Sequence, residues 1–141
     1  MNPRWAQDLA ERQVPTDAEA HLQARAEPLK VYCSSRAEKW GFVEVEHVNE
    51  GIAYLNGLPG KVTIGPGPGM CSRVSCSYRT SIWWCNDNDV DFELDSYADI
   101  TYGAGAILDK CARGYMRSIV KGQAFMPGKW NVVIRREMAN C

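Results

Sequence analysis

The sequence predicts an α+β fold, in which a small disulfide-stabilised antiparallel sheet of four or five strands carries two helices packed on one face. Three observations predict it. Six cysteines occur in 141 residues, short runs of β-branched and aromatic residues are separated by turn signals, and two segments place apolar residues at helical spacing. A chain of this length is expected to form one domain, which we place at 29–141.

The first 28 residues differ in composition from the rest of the chain. They contain no cysteine and are rich in Ala, Glu, Gln and Arg. Thr16 followed by Glu19 is typical of a capping box at a helix start, so we predict a frayed or partly helical arm or pro-segment at 1–28. The run LQAR at 22–25 resembles a cleavage site for kexin-like proteases, and an exposed helix turn explains it equally well. Because the N-terminus lacks the apolar region of a signal peptide, we expect a removed signal or a Met1 that is not the native start.

The beginning of the domain predicts two extended segments and a helix. The alternating run at 29–33 predicts the first strand, and 42–45 predicts a short extended piece. A helix is predicted at 46–56 and ends at Gly57, although Gly51 inside it is unfavourable. The apolar face of this helix consists of Val48, Ile52 and Leu55.

The distinctive middle of the chain predicts a hairpin. A strand predicted at 61–64 leads into GPGPG at 65–69, which we interpret as a stiff connector, because its prolines lack the N–H groups that a phosphate-binding loop needs. The runs CSRVSCSY and TSIWWCN then predict two neighbouring strands joined by a turn within 77–81. Cys76 and Cys85 are one candidate pair across this hairpin.

The acidic run NDNDVDFELD at 86–95 follows the hairpin. An EF-hand loop starting at Asp87 would need Gly where Phe92 stands and Glu where Ala98 stands. We therefore predict a solvated acidic loop in preference to a calcium site.

A second helix is predicted near 96–112, capped by Asp95 or Ser96 and ended by Gly114. Gly103 and Gly105 are expected to let it approach a sheet closely. Its buried face includes Cys111, which implies a disulfide from helix to sheet. The face consists of Ile100, Ala104, Ile107, Leu108 and Cys111.

The last section predicts a closing hairpin. Strands are expected at 118–125 and 130–135, with Pro127 and Gly128 in the turn between them. In the second strand Asn131, Val133 and Arg135 should alternate with Trp130, Val132 and Ile134.

The cysteines predict an oxidising compartment. Their number is even, no C-x2-C pair occurs, and only two histidines are present, which disfavours zinc. We therefore predict a secreted protein with three intramolecular disulfides of open connectivity. The paired residues would be Cys33, Cys71, Cys76, Cys85, Cys111 and Cys141.

Composition disfavours two classes of partner. The net charge of −1 is unlike the basic excess of a non-specific nucleic-acid binder. No apolar run is long enough for a membrane span. We expect a monomer without cofactor or metal.

Candidate catalytic residues are few. His47 is the only histidine in the cysteine-bearing region, and we interpret it as a surface residue. Full cysteine pairing leaves no thiol nucleophile. Acids from Asp87 to Asp99 could serve as paired carboxylates of a glycoside hydrolase. We prefer the interpretation that they form a solvated loop, and we predict that the protein has no catalytic residues and is not an enzyme. The candidate interaction surface consists of Trp83, Trp84, Asp87, Asp89 and Asp91.

The runs LKVYCSS, EGIAYLNG, WWCNDN, GQAF and WNVVIR together resemble fungal small secreted cysteine-rich proteins, which are usually catalogued as effector candidates. The likeness covers about residues 29–141. The order of elements also resembles the α/β sandwich of smut-virus killer toxins and related effectors. The resemblance implies binding of a host or competitor protein or another cell-surface target, with virulence or the elicitation of plant defence as the outcome. The alternatives are a killer-type antimicrobial that blocks a channel and a small secreted hydrolase that uses the acids at 87–99.

Overall fold

The computed structural model describes residues 27–34 and 40–141, and these residues form an α+β fold. The arm predicted at 1–28 lies outside the described residues except for its last two positions. Along the chain the elements are β1 (Lys30–Tyr32), β2 (Val43–Glu44), α1 (Val45–Asn56), β3 (Val62–Ile64), β4 (Met70–Ser77), β5 (Thr80–Asn86), β6 (Phe92–Leu94), α2 (Ala98–Cys111), a 3-10 turn (Tyr115–Arg117), β7 (Ile119–Val120), β8 (Gly122–Met126) and β9 (Trp130–Arg136).

Five strands form one antiparallel sheet in the order β1-β8-β9-β5-β4, as the sequence predicts. The late strand β9 lies at its centre, hydrogen-bonded to β8 on one side and to β5 on the other. Two short antiparallel ladders join β2 to β7 and β3 to β6. The closing hairpin is thus built into the middle of the sheet.

The sheet has two different faces, because successive side chains of a strand point to opposite sides. On the first face Ile82 lies opposite Ile134, and Trp84 lies opposite Val132. All four side chains are at most 1% exposed. Trp83 points to the second face, away from this core.

Both helices pack on the first face, and both approach the sheet through a glycine. A Cβ atom on Gly51 of α1 would lie 2.7 Å from Ser75 Oγ, and one on Gly103 of α2 would lie 2.8 Å from Val132 Cγ2. The poor helix propensity of Gly51 is therefore offset by the close packing that only its missing side chain allows. Neither helix of the described chain is long and apolar enough to cross a membrane.

The two glycines of α2 should respond oppositely to alanine. Gly103→Ala would place a methyl group against Val132 and should lower the free energy of unfolding by about 1–3 kcal/mol. Gly105 has no atom within 4 Å of its would-be Cβ, so Gly105→Ala should raise the free energy of unfolding by roughly 0.5–1 kcal/mol through helix propensity. Urea unfolding of both variants measures this. A shift of the same sign in the two would contradict the described contact.

The ends of α2 differ in part from the prediction at 96–112. The helix begins at Ala98, whose N–H donates to Ser96 Oγ at 3.0 Å, so Ser96 does contribute a cap. It ends at Cys111 and not at Gly114. Gly114 instead has a φ of 84° and turns the chain into the 3-10 turn, a conformation for which glycine is suited.

The acidic run is not only a solvated loop, because it contains β6. Phe92 lies opposite Ile64 of β3, and Leu94 is 7% exposed. The Phe92 ring lies 6.4 Å from that of Trp84 and 6.2 Å from that of Trp130. Burial of its apolar positions against the core converts this part of the run into a strand.

All six cysteines are paired in three intramolecular disulfides, which confirms the predicted number. Cys111 bonds to Cys33 at the end of β1, so a disulfide does tie α2 to the sheet. The candidate pair Cys76 and Cys85 is wrong. The three bonds are Cys33–Cys111, Cys71–Cys85 and Cys76–Cys141.

Candidate functional site

The two adjacent tryptophans of the predicted interaction surface lie on opposite faces of the sheet. Trp84 is 0% exposed and belongs to the core, so its assignment to a surface is wrong. The physical reason is the two-residue repeat of a strand. Trp83 is half-buried on the face away from the helices, and it stays a candidate.

Of the predicted acids, Asp87 is used inside the protein. Its Oδ1 accepts from the N–H of Gly69 at 3.0 Å, and its Oδ2 accepts from Asn131 Nδ2 at 2.9 Å. Both carboxylate oxygens therefore hold neighbouring segments together. Asp89 and Asp91 are exposed in the loop before β6, where a partner could reach them.

Asn86, the last residue of β5, organises the loops next to Asp87. Its side chain is 0% exposed. Its Nδ2 donates to the carbonyls of Gly65 and Val90, each at 2.9 Å. Its Oδ1 accepts from the backbone N–H of Asn88 at 2.9 Å and from Asn88 Nδ2 at 3.0 Å. One buried amide thus fastens the proline-rich connector to the acidic loop.

Trp83 is the centre of a group on the second face that we call the Trp83 platform: Trp83, Arg73, Arg135 and Glu137. The guanidinium carbons of Arg73 and Arg135 lie 6.0 and 5.3 Å from the centre of the indole ring, within the cation–π range. The indole N–H lies 2.8 Å from Glu137 Oε2 and 3.0 Å from Ser81 Oγ. The ring is therefore held in one orientation.

Glu137 is the carboxylate that both arginines share. Its Oε1 lies 3.7 Å from Arg73 Nη1, and its Oε2 lies 3.5 Å from Arg135 Nε. Burial acts to raise the pKa of Glu137, but hydrogen bonds from Ser81 and Trp83 and the charges of the two arginines outweigh it, so the pKa is lowered. With one carboxylate to two guanidinium groups, the platform keeps a net positive charge.

An apolar cleft of about 230 Å³ lies beside the platform. Trp40, Val133 and the disulfide between Cys71 and Cys85 line it, together with Trp83. Apolar groups in a concave surface next to a fixed aromatic ring can receive an apolar side chain of a partner.

A larger cavity, of about 460 Å³, lies between the start of α1 and the turn that joins β4 to β5. We call it the His47 cavity. Its described walls include Phe42, His47, Tyr78, Arg79, Ile119 and Arg136. The sequence predicts an ordinary surface residue at His47, but its side chain is only 16% exposed.

His47 stacks on Tyr78, with ring centroids 4.2 Å apart and the planes 14° from parallel. Its Nδ1 lies 2.9 Å from Glu50 Oε1, and its Nε2 lies 3.2 Å from Glu44 Oε1. The hydrogen bond to Glu50 raises the pKa of His47 above its ordinary value against the effect of burial, and the charges of Glu50, Glu44 and Glu46 add to the rise. The imidazolium form is thus favoured, and both ring nitrogens are occupied.

One group of described residues has ligand atoms close enough for a metal ion. Atoms of Glu46, His47 and Glu50 lie within 4.8 Å of one another. Because both nitrogens of His47 already contact carboxylates, a metal would have to displace these contacts. We assign no metal to this group.

The turn that contributes Tyr78 and Arg79 to the cavity is held by residues 137–141, which we call the tail. The φ angles of Tyr78 and Arg79 are 52° and 60°, which residues other than glycine and asparagine rarely adopt. The N–H of Tyr78 donates to the carbonyl of Cys141 at 3.2 Å, and the carbonyl of Arg79 accepts from the N–H of Glu137 at 2.9 Å. Arg79 Nε also donates to Asn140 Oδ1 at 3.1 Å.

Sequence reasoning identified Trp83 but missed the residues around it. The alternation along β5 and β9 was a usable signal, because it places Ser81 and Trp83 on one face with Arg135. Nothing comparable identifies the His47 cavity. Its described walls come from β2 and the residue before it, α1, a turn, β5, β7 and β9, and only the folded chain brings them together.

Comparison of the chain with models of protein families, with curated proteins and with solved structures finds no match.

Proposed function

We propose that this protein is a secreted, non-enzymatic binding protein of the fungal effector kind, which acts by docking on a host protein. The observation that carries the proposal is the Trp83 platform, in which two guanidinium groups lie within about 6 Å of an indole ring on the sheet face away from the helices. Trp and Arg are the residues that most often dominate the binding energy of protein interfaces. Side chains fixed before binding lose less entropy when the partner arrives.

The platform favours a partner surface that combines an acidic and an apolar side chain. Among the described carboxylates, Glu137 is the only one within ion-pair distance of Arg73 and Arg135. A carboxylate of the partner would therefore be attracted to these two arginines. The cleft next to Trp83 offers room for an apolar side chain. A host protein with Asp or Glu beside an exposed apolar residue meets both conditions.

Secretion is supported by the cysteine chemistry. Disulfides persist in oxidising compartments, and small extracellular domains use them to supplement a limited core. Here all six cysteines are bonded. The likeness of residues 29–141 to fungal secreted proteins supports a host target.

Infiltration of the purified protein into leaf tissue, scored for cell death and defence induction, tests the proposal. The wild-type protein should cause a response. Trp83→Ala and Arg73→Gln should each weaken it, with a loss of affinity of roughly 30-fold for the removal of a hot-spot tryptophan. Tyr54→Ala is the matched control, since it removes a 57% exposed aromatic side chain from α1 and should leave the response intact.

Circular dichroism and thermal unfolding of each variant separate loss of contact from loss of fold. A full response from folded Trp83→Ala and Arg73→Gln would refute the platform as the docking surface. Growth inhibition of yeasts without any leaf response would favour the killer-type alternative. Turnover in a substrate panel that disappears in Asp89→Asn or Asp91→Asn would favour the hydrolase.

A further inference from the structure

We propose that the His47 cavity binds a small organic anion, whose carboxylate, phosphate or sulfate group contacts Arg79 and Arg136 while its apolar part lies against Phe42 and Ile119. The cavity is separate from the Trp83 platform, and the inference does not depend on the function proposed above.

Two guanidinium groups supply the anion contacts. Arg136 lies opposite Thr80 in the register of β9 and β5, so it is close to Arg79, which directly precedes Thr80. Among the described residues no carboxylate lies within 4.0 Å of either guanidinium group. Arg79 uses Nε for Asn140, so its two terminal nitrogens are the atoms that would contact the anion. A guanidinium fork matches the oxygens of a carboxylate, phosphate or sulfate.

The cavity carries charges of both signs, arranged on different sides. On the His47 side Glu44 and Glu50 contact the imidazole at 3.2 and 2.9 Å, and Glu46 lies close by, so one imidazolium compensates only part of their charge. On the other side Lys121 and Arg113 lie 4.6 and 5.8 Å from the centre of the Phe42 ring. Together with Arg79 and Arg136 they attract an anion to the side of the cavity away from the three carboxylates.

Size and lining limit the ligand to a small molecule. The volume of about 460 Å³ falls in the range of roughly 300–1,000 Å³ that small-molecule sites occupy. Phe42, Val43 and Ile119 give the cavity apolar walls. A charged group attached to a ring or a short apolar chain uses both kinds of wall.

The site is fixed in the absence of ligand. Tyr78 and Arg79 hold left-handed backbone conformations that persist only where their surroundings impose them. Two kinds of contact impose these conformations. Tyr78 and Arg79 form backbone hydrogen bonds to the tail, and the disulfide Cys76–Cys141 anchors the tail to β4. Arg79 is therefore positioned before a ligand binds.

The experiment is an NMR titration of the full chain with five probes of similar size. Benzoate, phenyl phosphate and phenyl sulfate are the anions, while benzyl alcohol and benzylamine are the neutral and cationic controls. At least one anion should shift the signals of the His47 ring and of the Tyr78, Arg79 and Arg136 amides, with saturation at millimolar concentration. The anion that binds tightest identifies the charged group. The two controls should leave these signals in place.

Variants then test the contacts. Arg79→Gln and Arg136→Gln should each weaken binding of the best anion by about tenfold or more, the effect of losing a charge-assisted hydrogen bond. Lys61→Gln, which removes a 65% exposed cation paired with Glu93, and Trp83→Ala should bind normally. The proposal is overturned if all three anions shift the signals no more than sodium chloride at equal ionic strength. Equal binding of benzyl alcohol, or unchanged binding in both arginine variants, would overturn it as well. The titration of the wild-type protein decides the matter even if a variant fails to fold.

Discussion

Replacing Cys33 and Cys111 together with alanine should lower the free energy of unfolding by about 2–5 kcal/mol. This bond joins residues 78 positions apart, so its removal releases a long loop in the unfolded chain. It also releases β1, a three-residue strand at the edge of the sheet that pairs only with β8 among the described strands. Urea unfolding followed by circular dichroism measures the change.

The matched control is the double replacement of Cys71 and Cys85. This bond closes a separation of only 14 residues, between positions that are already opposite each other in β4 and β5. Its loss should cost about 1.5 kcal/mol less than that of Cys33–Cys111 according to the loop-entropy relation. Equal costs for the two bonds would contradict the assigned role of the longer one.

Thiol titration of the denatured, unreduced wild-type protein should find no free thiol.

Asn86→Asp should destabilise the fold by at least about 3 kcal/mol at neutral pH, because buried partners lose their hydrogen bonds. The carbonyls of Gly65 and Val90 would lose a donor and would face a buried carboxylate instead. The change keeps the size of the side chain, so packing is little altered. Denaturant unfolding monitored by tryptophan fluorescence gives the magnitude.

Asn49→Asp makes the same chemical change at an exposed position of α1. It should alter the free energy of unfolding by no more than roughly 0.5 kcal/mol. If the two Asn→Asp variants were equally stable, Asn86 would not be the residue that holds the two loops together.

The sequence predicted the elements whose signal is local. α2 carries an apolar face along its whole length, and Pro127 with Gly128 marks the closing turn, where Gly128 has a φ of 99°. Strands of two or three residues, such as β2 and β7, are too short to give a clear local pattern in the sequence. They exist because their partners lie opposite them, and pairing across the chain is a property of the tertiary structure.

The disulfide pattern shows why the register of β4 against β5 could not be predicted from the sequence. The turn between β4 and β5 holds only Tyr78 and Arg79, without the Asn-Gly or Asp-Gly signal of such turns. An irregularity between Arg73 and Ser75 then shifts the register by one residue. Without that shift, Cys71 would not lie opposite Cys85. A single bulged residue therefore decides which cysteines meet.

The candidate site was predictable to a similar extent. The choice of Trp83 as a surface residue comes from the aromatic and acidic composition of its segment. The placement of Trp83 and Trp84 on opposite faces of the sheet follows from the two-residue repeat of a strand. The stacking of His47 on Tyr78 does not, because the two residues come from α1 and from a turn that the tail holds in place.

The central position of β9 has a consequence for the order of events during synthesis. Until residues 130–136 leave the ribosome, β5 and β8 have no strand between them, so β1 and β8 cannot join β5 and β4 in one sheet. Before that point the hairpin of β4 and β5, with its Cys71–Cys85 bond, is the part of this sheet that can form from nearby residues of the described chain. The other two bonds join residues 78 and 65 positions apart. Such a topology, rich in distant contacts, folds slowly, which leaves the unpaired thiols exposed to exchange until the hairpin of β8 and β9 is inserted.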